Sequence, residues 1–224
     1  VLPQARSADL SSFVLTAIKG VPLKALLKVS GFIDALNERV GSIVIWAVLA
    51  SVLISAGNAI SRKAFDLSSN AWLEIQWYLF AAVFMLAAGY TYLKNEHVRI
   101  DVVSGRLSAR GRTWIDILGI IFFLMPWIIL MLYLGVPYFH QAFVSGEMSS
   151  NAGGLIRWPA YLLIPVGVAL LGLQAISELI KRIGFLAGHC EDPAAPKAAK
   201  SAEEELADFV RQQSEAAAVT GAVK

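Results

Sequence analysis

Apolar residues gather into four long blocks, about 41–60, 73–93, 113–139 and 155–180, separated by short stretches where charge, glycine and proline concentrate. None of the blocks alternates with period two, and each is long enough for a helix to cross a hydrocarbon core, which takes about 20 residues. In lipid every backbone polar group must be satisfied internally, which leaves helices and closed barrels, and helix-length blocks without alternation favour helices. The fold class expected is an all-α membrane protein with four transmembrane helices and N-terminal amphipathic surface helices. A composition of 57% hydrophobic and 16% charged residues, with a mean hydropathy of +0.61, is too apolar for an ordinary soluble domain.

The flanks read differently from the blocks. Before the first block, lysines mix with apolar residues at helical spacing, as in helices lying along a membrane surface. Leu23, Leu26, Leu27 and Phe32 would dip into the acyl boundary there, while Lys24 and Lys28, four apart on one helix face, would meet anionic headgroups. A short helix packed on the protein's own loops is the alternative. After Ile180 the chain turns rich in Ala, Pro and charge, as a solvated tail does, with a marginal surface helix at 201–214 that puts Leu206, Phe209 and Val210 on one face. These boundaries divide the chain into an arm at 1–40, a four-helix domain at 41–182 and a cytoplasmic, largely flexible tail at 183–224.

Within the blocks, polar and helix-bending residues are few. The first carries no charge, and Gly57 and Asn58 near its far end are its only features suited to close packing or an interhelical hydrogen bond. Pro126 predicts a kink in the third, since its ring removes a helical hydrogen bond; Pro137 stands near that block's end. In the fourth, Pro159 suits a first helical turn, Pro165 follows one to two turns in, and Gln174 and Glu178 share a face near the far end. Trp72, Trp77, Tyr78, Trp114 and Trp158 stand near block ends, as aromatic belts do.

Charge placement sets the expected topology. Lys19, Lys24, Lys28 and Arg39 precede the first block, Lys94, Arg99, Arg106, Arg110 and Arg112 lie between the second and third, and Lys181 and Arg182 follow the fourth. The stretch 140–154 has no Lys or Arg. By the positive-inside rule both termini are expected in the cytoplasm, with Arg62 and Lys63 a minor exception on the outer side. A net charge of +2 is too small to point to a nucleic-acid partner. The single cysteine, Cys190, excludes an intramolecular disulfide and reads as a structural thiol. Residues 1–40 lack the arrangement of a cleaved signal peptide, because Lys19, Gly20 and Pro22 break the most apolar run.

Candidate chemistry is sparse. The exit of the second block, with Glu96, His97, Arg99 and Asp101, offers one imidazole and no thiol, so no metal site is expected and an anchoring ion-pair network is favoured. Haem between two histidines fails on distance: His97 and His140 stand at opposite faces, about 30 Å apart, and His189 lies beyond the last block. No cofactor is expected. Glu74, at the outer end of the second block, calls for a partner such as Arg62, Lys63 or Arg157, or else faces water at the interface. There is no phosphate-binding glycine loop, nucleophile elbow or zinc signature, so an enzyme is not expected. A self-sufficient transporter would show repeated halves with polar, interrupted helices at mid-depth. Apolar span middles point instead to an accessory or scaffold subunit; a stand-alone four-helix channel or carrier is the alternative, and a cofactor-bearing redox subunit a further one.

Several residues, taken in order, resemble a known family. They are Glu74, Trp77 and Tyr78, the pair Gly89-Tyr90, the exit His97-Val98-Arg99-Ile100-Asp101, and the run from Trp158-Pro159 through Pro165-Val166-Gly167 to Leu173-Gln174. Over about residues 35–185 the chain resembles the DctQ-like small permease of tripartite ATP-independent periplasmic (TRAP) transporters, and the helices before the first block look like that family's amphipathic arm. The Ala/Glu-rich tail departs from its short members. The resemblance implies a scaffold in the bacterial inner membrane. Its partners would be a large multi-span subunit that carries substrate and sodium, a periplasmic substrate-binding protein and phospholipids. The transported solute would be an organic acid. It also implies interface roles: Glu74 and Arg157 at the outer face, Trp158 and Gln174 against the large subunit or the helix bundle, and His97, Arg99 and Asp101 as an inner-loop anchor.

Overall fold

The computed structural model describes residues 23–67, 69–95 and 108–190. Among these described residues four helical spans are long and apolar enough to cross a membrane: Leu23–Phe65, Asn70–Lys94, Ala109–Ser145 and Trp158–Leu186. Among the described residues the only bridge between extended segments pairs Met148 with Ile156.

The first span is one helix, α1 (Leu23–Phe65), of 43 residues, about 64 Å at the usual rise. No proline interrupts it. Its buried positions, Leu23, Ser30, Ile33, Asn37, Gly41 and Val44, follow one another at three, four or seven residues, a single stripe that runs through residue 40. From Leu23 onward, the segment expected as a separate surface helix is therefore continuous with the span. Lys24 and Lys28 stand exposed on the face away from that stripe.

The second span divides into α2 (Asn70–Leu86) and α3 (Ala88–Lys94), with Ala87 outside both helices. This break was not expected from the sequence. Hydrogen bonds from the Thr91 amide (2.8 Å) and hydroxyl (3.0 Å) to the Ala87 carbonyl satisfy the backbone there. Two residues on, Gly89 lets α3 close onto α1, because the Asn37 amide oxygen occupies the place a Cβ would take. The third span joins α4 (Ala109–Gly119) to α5 (Met125–Ser145) through a wide π-helical turn, Ile120–Leu124, in which the Met125 N–H reaches the Ile120 carbonyl. Pro126 stands two residues beyond that turn, so the expected disturbance at this proline takes the form of a π-bulge just before it.

Helix α6 (Trp158–Leu186) is the hub, touching every other span and holding more buried positions than any other described helix. Small residues let its neighbours approach: a Cβ at Gly167 would stand 2.5 Å from the Met85 carbonyl oxygen of α2, and one at Gly172 would stand 3.1 Å from Ile128 of α5. Membrane helices associate in this way, since lipid offers no hydrophobic drive between them. The apolar core, Ile120, Ile128, Val168 and Ala175, lies between the third span and α6.

Candidate functional site

Polar side chains gather at the two ends of the bundle. At the end where α2 begins, α5 terminates on Gly146 in the left-handed conformation (φ 62°). The following segment folds back on itself: the Ser149 amide donates to the Leu155 carbonyl (2.8 Å) and the Arg157 amide to the Glu147 carbonyl (2.9 Å). Glu74, buried in the first turns of α2, holds this loop. Its carboxylate accepts hydrogen bonds from the Ser149 hydroxyl, the Asn151 side-chain amide (2.8 Å) and the Leu155 backbone N–H (2.6 Å). Tyr78 donates to the Ile156 carbonyl at 3.0 Å, and Asn70 to that of Ala152 at 2.9 Å. Gly154 is required beside the carboxylate, since a Cβ there would stand 2.7 Å from Glu74 Oε1.

Arg157 takes a different acid. Its guanidinium donates to Glu147 at 2.8 Å and reaches the Tyr161 hydroxyl at 3.5 Å, and these two hydrogen bonds push its pKa above the ordinary arginine value. The expected pairing of Glu74 with Arg62, Lys63 or Arg157 is thus replaced by neutral donors of the loop, which reach it once the chain folds back. Beside them Trp158 stacks edge-on against Phe143 and Phe139, with ring centroids 5.4 and 6.4 Å away. Glu74, Tyr78, Asn151, Arg157 and Tyr161 line a cleft of about 410 Å³ that opens at this end.

The opposite end carries a belt of charge that ties all four spans together. Lys94 of α3 pairs with Glu38 of α1 at 2.6 Å, and Lys181 of α6 pairs with Asp34 of α1 at 3.0 Å and with Glu178 at 2.5 Å. Arg182, 3% exposed, pairs with Glu178 and, at 3.1 Å, with Asp116 of α4. Neutral groups extend the belt inward along α1 and α6: Ser30 bonds Ser177 (2.7 Å), Asn37 donates to Gln174 (2.9 Å), and Gln174 donates to Asp34 (2.8 Å). Asn37, Gln174 and Ser177 are fully buried. From Trp158 at one end to Glu178 at the other, α6 rises about 30 Å, the thickness of a hydrocarbon core.

Residues 51–184, more than half of the chain, match the profile of the DctQ component of tripartite ATP-independent periplasmic transporters. The chain belongs to this family. It is the small membrane subunit of a TRAP transporter, a family of transporter components rather than of enzymes. No curated protein and no solved structure matches the chain. The match takes in Glu74 with its loop and the α6 half of the belt, and leaves the α1 half, Ser30 to Glu38, outside.

Of the residues expected at partner interfaces, Glu74 and Gln174 point into this DctQ component, while Arg157 and Trp158 are partly exposed at the loop end. His97, Arg99 and Asp101 lie outside the described residues, as do the arm before Leu23 and the tail beyond Cys190. Asp34, Asn37, Ser30 and Ser177 were not singled out from the sequence. The signal for them is the spacing: Ser30, Asp34 and Asn37 on one helix, and Gln174, Ser177, Glu178 and Lys181 on another, each repeat at three or four residues. Two polar stripes of equal length, one on the first and one on the last helical segment, are candidates to face each other.

Proposed function

We propose that this chain acts as the scaffold of its transporter in the bacterial inner membrane, with the charged belt and both termini on the cytoplasmic side and the Glu74 loop in the periplasm. One observation carries the reading. Among the described residues the charged side chains lie towards the two ends, where Glu74 with its loop and the chain from Asp34 through Lys181, Glu178 and Arg182 to Asp116 are bonded internally, and the surfaces between are apolar. A wall of this kind is stiffened at both ends and offers lipid or a partner helix a greasy face. The alternating-access step then belongs to a large multi-span subunit, which carries the sodium coupling and an organic-acid substrate delivered by a periplasmic binding protein.

In this reading Glu74 works from within, holding the loop on which Arg157 and Trp158 face the periplasmic partner. Gln174 locks α1 to the hub beneath the surface that meets the large subunit. His97, Arg99 and Asp101 anchor the cytoplasmic loop, and Lys24 and Lys28 hold α1 against the headgroups of phospholipids. Replacement of Arg99 or Asp101 by Ala is expected to reduce recovery of the assembled complex before it alters substrate affinity.

The test is reconstitution. The chain is purified from its native membrane in mild detergent with whatever accompanies it, and sodium-driven uptake is measured in vesicles with the complex, with this chain removed and with this chain alone. Uptake by the complex alone supports the scaffold. Uptake by the isolated chain overturns it in favour of a stand-alone channel or carrier, and a visible absorbance band would mark a redox subunit.

A further inference from the structure

We propose that a groove between the end of α1 and the start of α2 binds an anionic phospholipid. The groove has a volume of about 560 Å³, within the roughly 300–1,000 Å³ typical of small-molecule pockets. Its lining mixes apolar walls with a set of polar groups, as an amphiphile needs. Leu53 and Ile54 on α1, Leu67 between the helices and Trp72 on α2 supply apolar walls, and Asn58, Ser61 and Ser69 supply polar groups.

Two features of the sequence that the bundle leaves unexplained meet here. Gly57 and Asn58 are the only packing signals in the outer half of the first span, yet nothing lies within 4 Å of where a Cβ on Gly57 would stand. At Gly41, Gly89 and Gly167 the same position is filled by a neighbouring helix. Gly57 therefore opens space rather than admitting a helix of this chain. The second feature is Arg62 and Lys63, basic residues at the end of α1 expected on the side with few cations. Both are exposed, and neither is among the ion pairs formed by the described residues. Arg62 follows Asn58 by four positions, so it rises one turn above it on the flank of the groove.

Part of this charge complements the α1 C-terminus. The remaining donors of Arg62, with Asn58, Ser61 and Ser69, form a set suited to a phosphodiester, beside walls suited to an acyl chain. Asp66 is the nearest acid in sequence, so the two cations leave this corner net positive. A transmembrane helix in the same groove would bury the polar rim against apolar side chains at a cost, whereas a lipid headgroup satisfies it.

The experiment titrates the delipidated full-length chain with phosphatidylglycerol or phosphatidylcholine of identical acyl chains and counts bound lipid by native mass spectrometry. Phosphatidylglycerol should be preferred by about fivefold, the effect of one cation near an anionic headgroup, and Arg62→Ala should remove the preference. Gly57→Leu, which has room for its side chain, should lower binding of both lipids with the helical circular-dichroism spectrum unchanged. Equal binding of the two lipids by the unaltered chain, or full binding by Gly57→Leu, overturns the proposal. In the intact transporter a photocrosslinker at Ser61 should capture lipid; capture of a partner helix overturns it. These readouts need no uptake, so the scaffold reading can fail while the lipid site stands.

Discussion

Glu74 accepts three hydrogen bonds from a loop about 80 positions away in sequence, more than any other side chain gives or takes there. Glu74→Ala removes the common acceptor and leaves the Leu155 N–H and the Asn151 amide without a partner. The expected outcome is faster hydrogen exchange across residues 147–157, by about tenfold or more, with exchange in α6 unchanged. Glu74→Gln keeps part of the acceptor capacity and should fall between. Cys190 illustrates the opposite case, a residue whose setting makes it quiet. Its thiol donates to the Lys181 carbonyl at 3.3 Å, and burial pushes its pKa up, only partly offset by the Lys181 ammonium. A raised thiol pKa means less thiolate at a given pH. Alkylation by iodoacetamide should therefore be slower than for an unfolded control at pH 8, and its rate should rise with a midpoint above the ordinary thiol value of about 8.5.

At the scale of elements, the register of α1 on α6 is set by polar pairs embedded in a small-residue interface. Asn37→Leu and Gln174→Leu each remove one side of the fully buried amide pair. A double-mutant cycle on detergent-solubilised protein should give a coupling energy between about 0.6 kcal/mol, the average for hydrogen bonds between membrane helices, and about 1.7 kcal/mol, their maximum, because the pair is fully buried. The α2 contact depends on shape instead. Gly167→Val would drive a side chain into the Met85 carbonyl, and the forced separation of α2 from the hub should cost about 1–3 kcal/mol, read as a lower unfolding midpoint.

At the scale of the whole molecule, Asp34, Lys181, Glu178, Arg182 and Asp116 of the belt form a connected chain of alternating sign in which Arg182 and Glu178 are the most buried members. Glu178→Ala leaves the buried Arg182 without its nearest carboxylate and should destabilise the bundle by about 3–5 kcal/mol. The paired change Glu178→Met with Arg182→Met should cost much less, because it removes both charges. If the belt serves mainly to brace the bundle, the paired variant will still assemble with its transporter partner, while Glu178→Ala will be lost from the complex through unfolding. Thermal denaturation of the chain together with its recovery in the assembled complex separates these outcomes.

The number of spans, their helical character and the crowding of charge at their ends were legible in the sequence, because bilayer thickness and backbone desolvation act on local composition. Pro126 announced a disturbance for the same local reason. The break at Ala87 and the choice of Glu74's partners were not legible, since both depend on what approaches from far along the chain: Asn37 against Gly89, and the 147–157 loop folded back over α2. The two polar stripes lay between these cases. Their spacing could be read on each segment separately, but only antiparallel packing of α1 on α6 decided that Ser30 meets Ser177, that Asn37 meets Gln174, and that Asp34 lies within reach of both Gln174 and Lys181. A sequence specifies which face of a helix is costly to leave in lipid, and tertiary packing decides which other face relieves that cost.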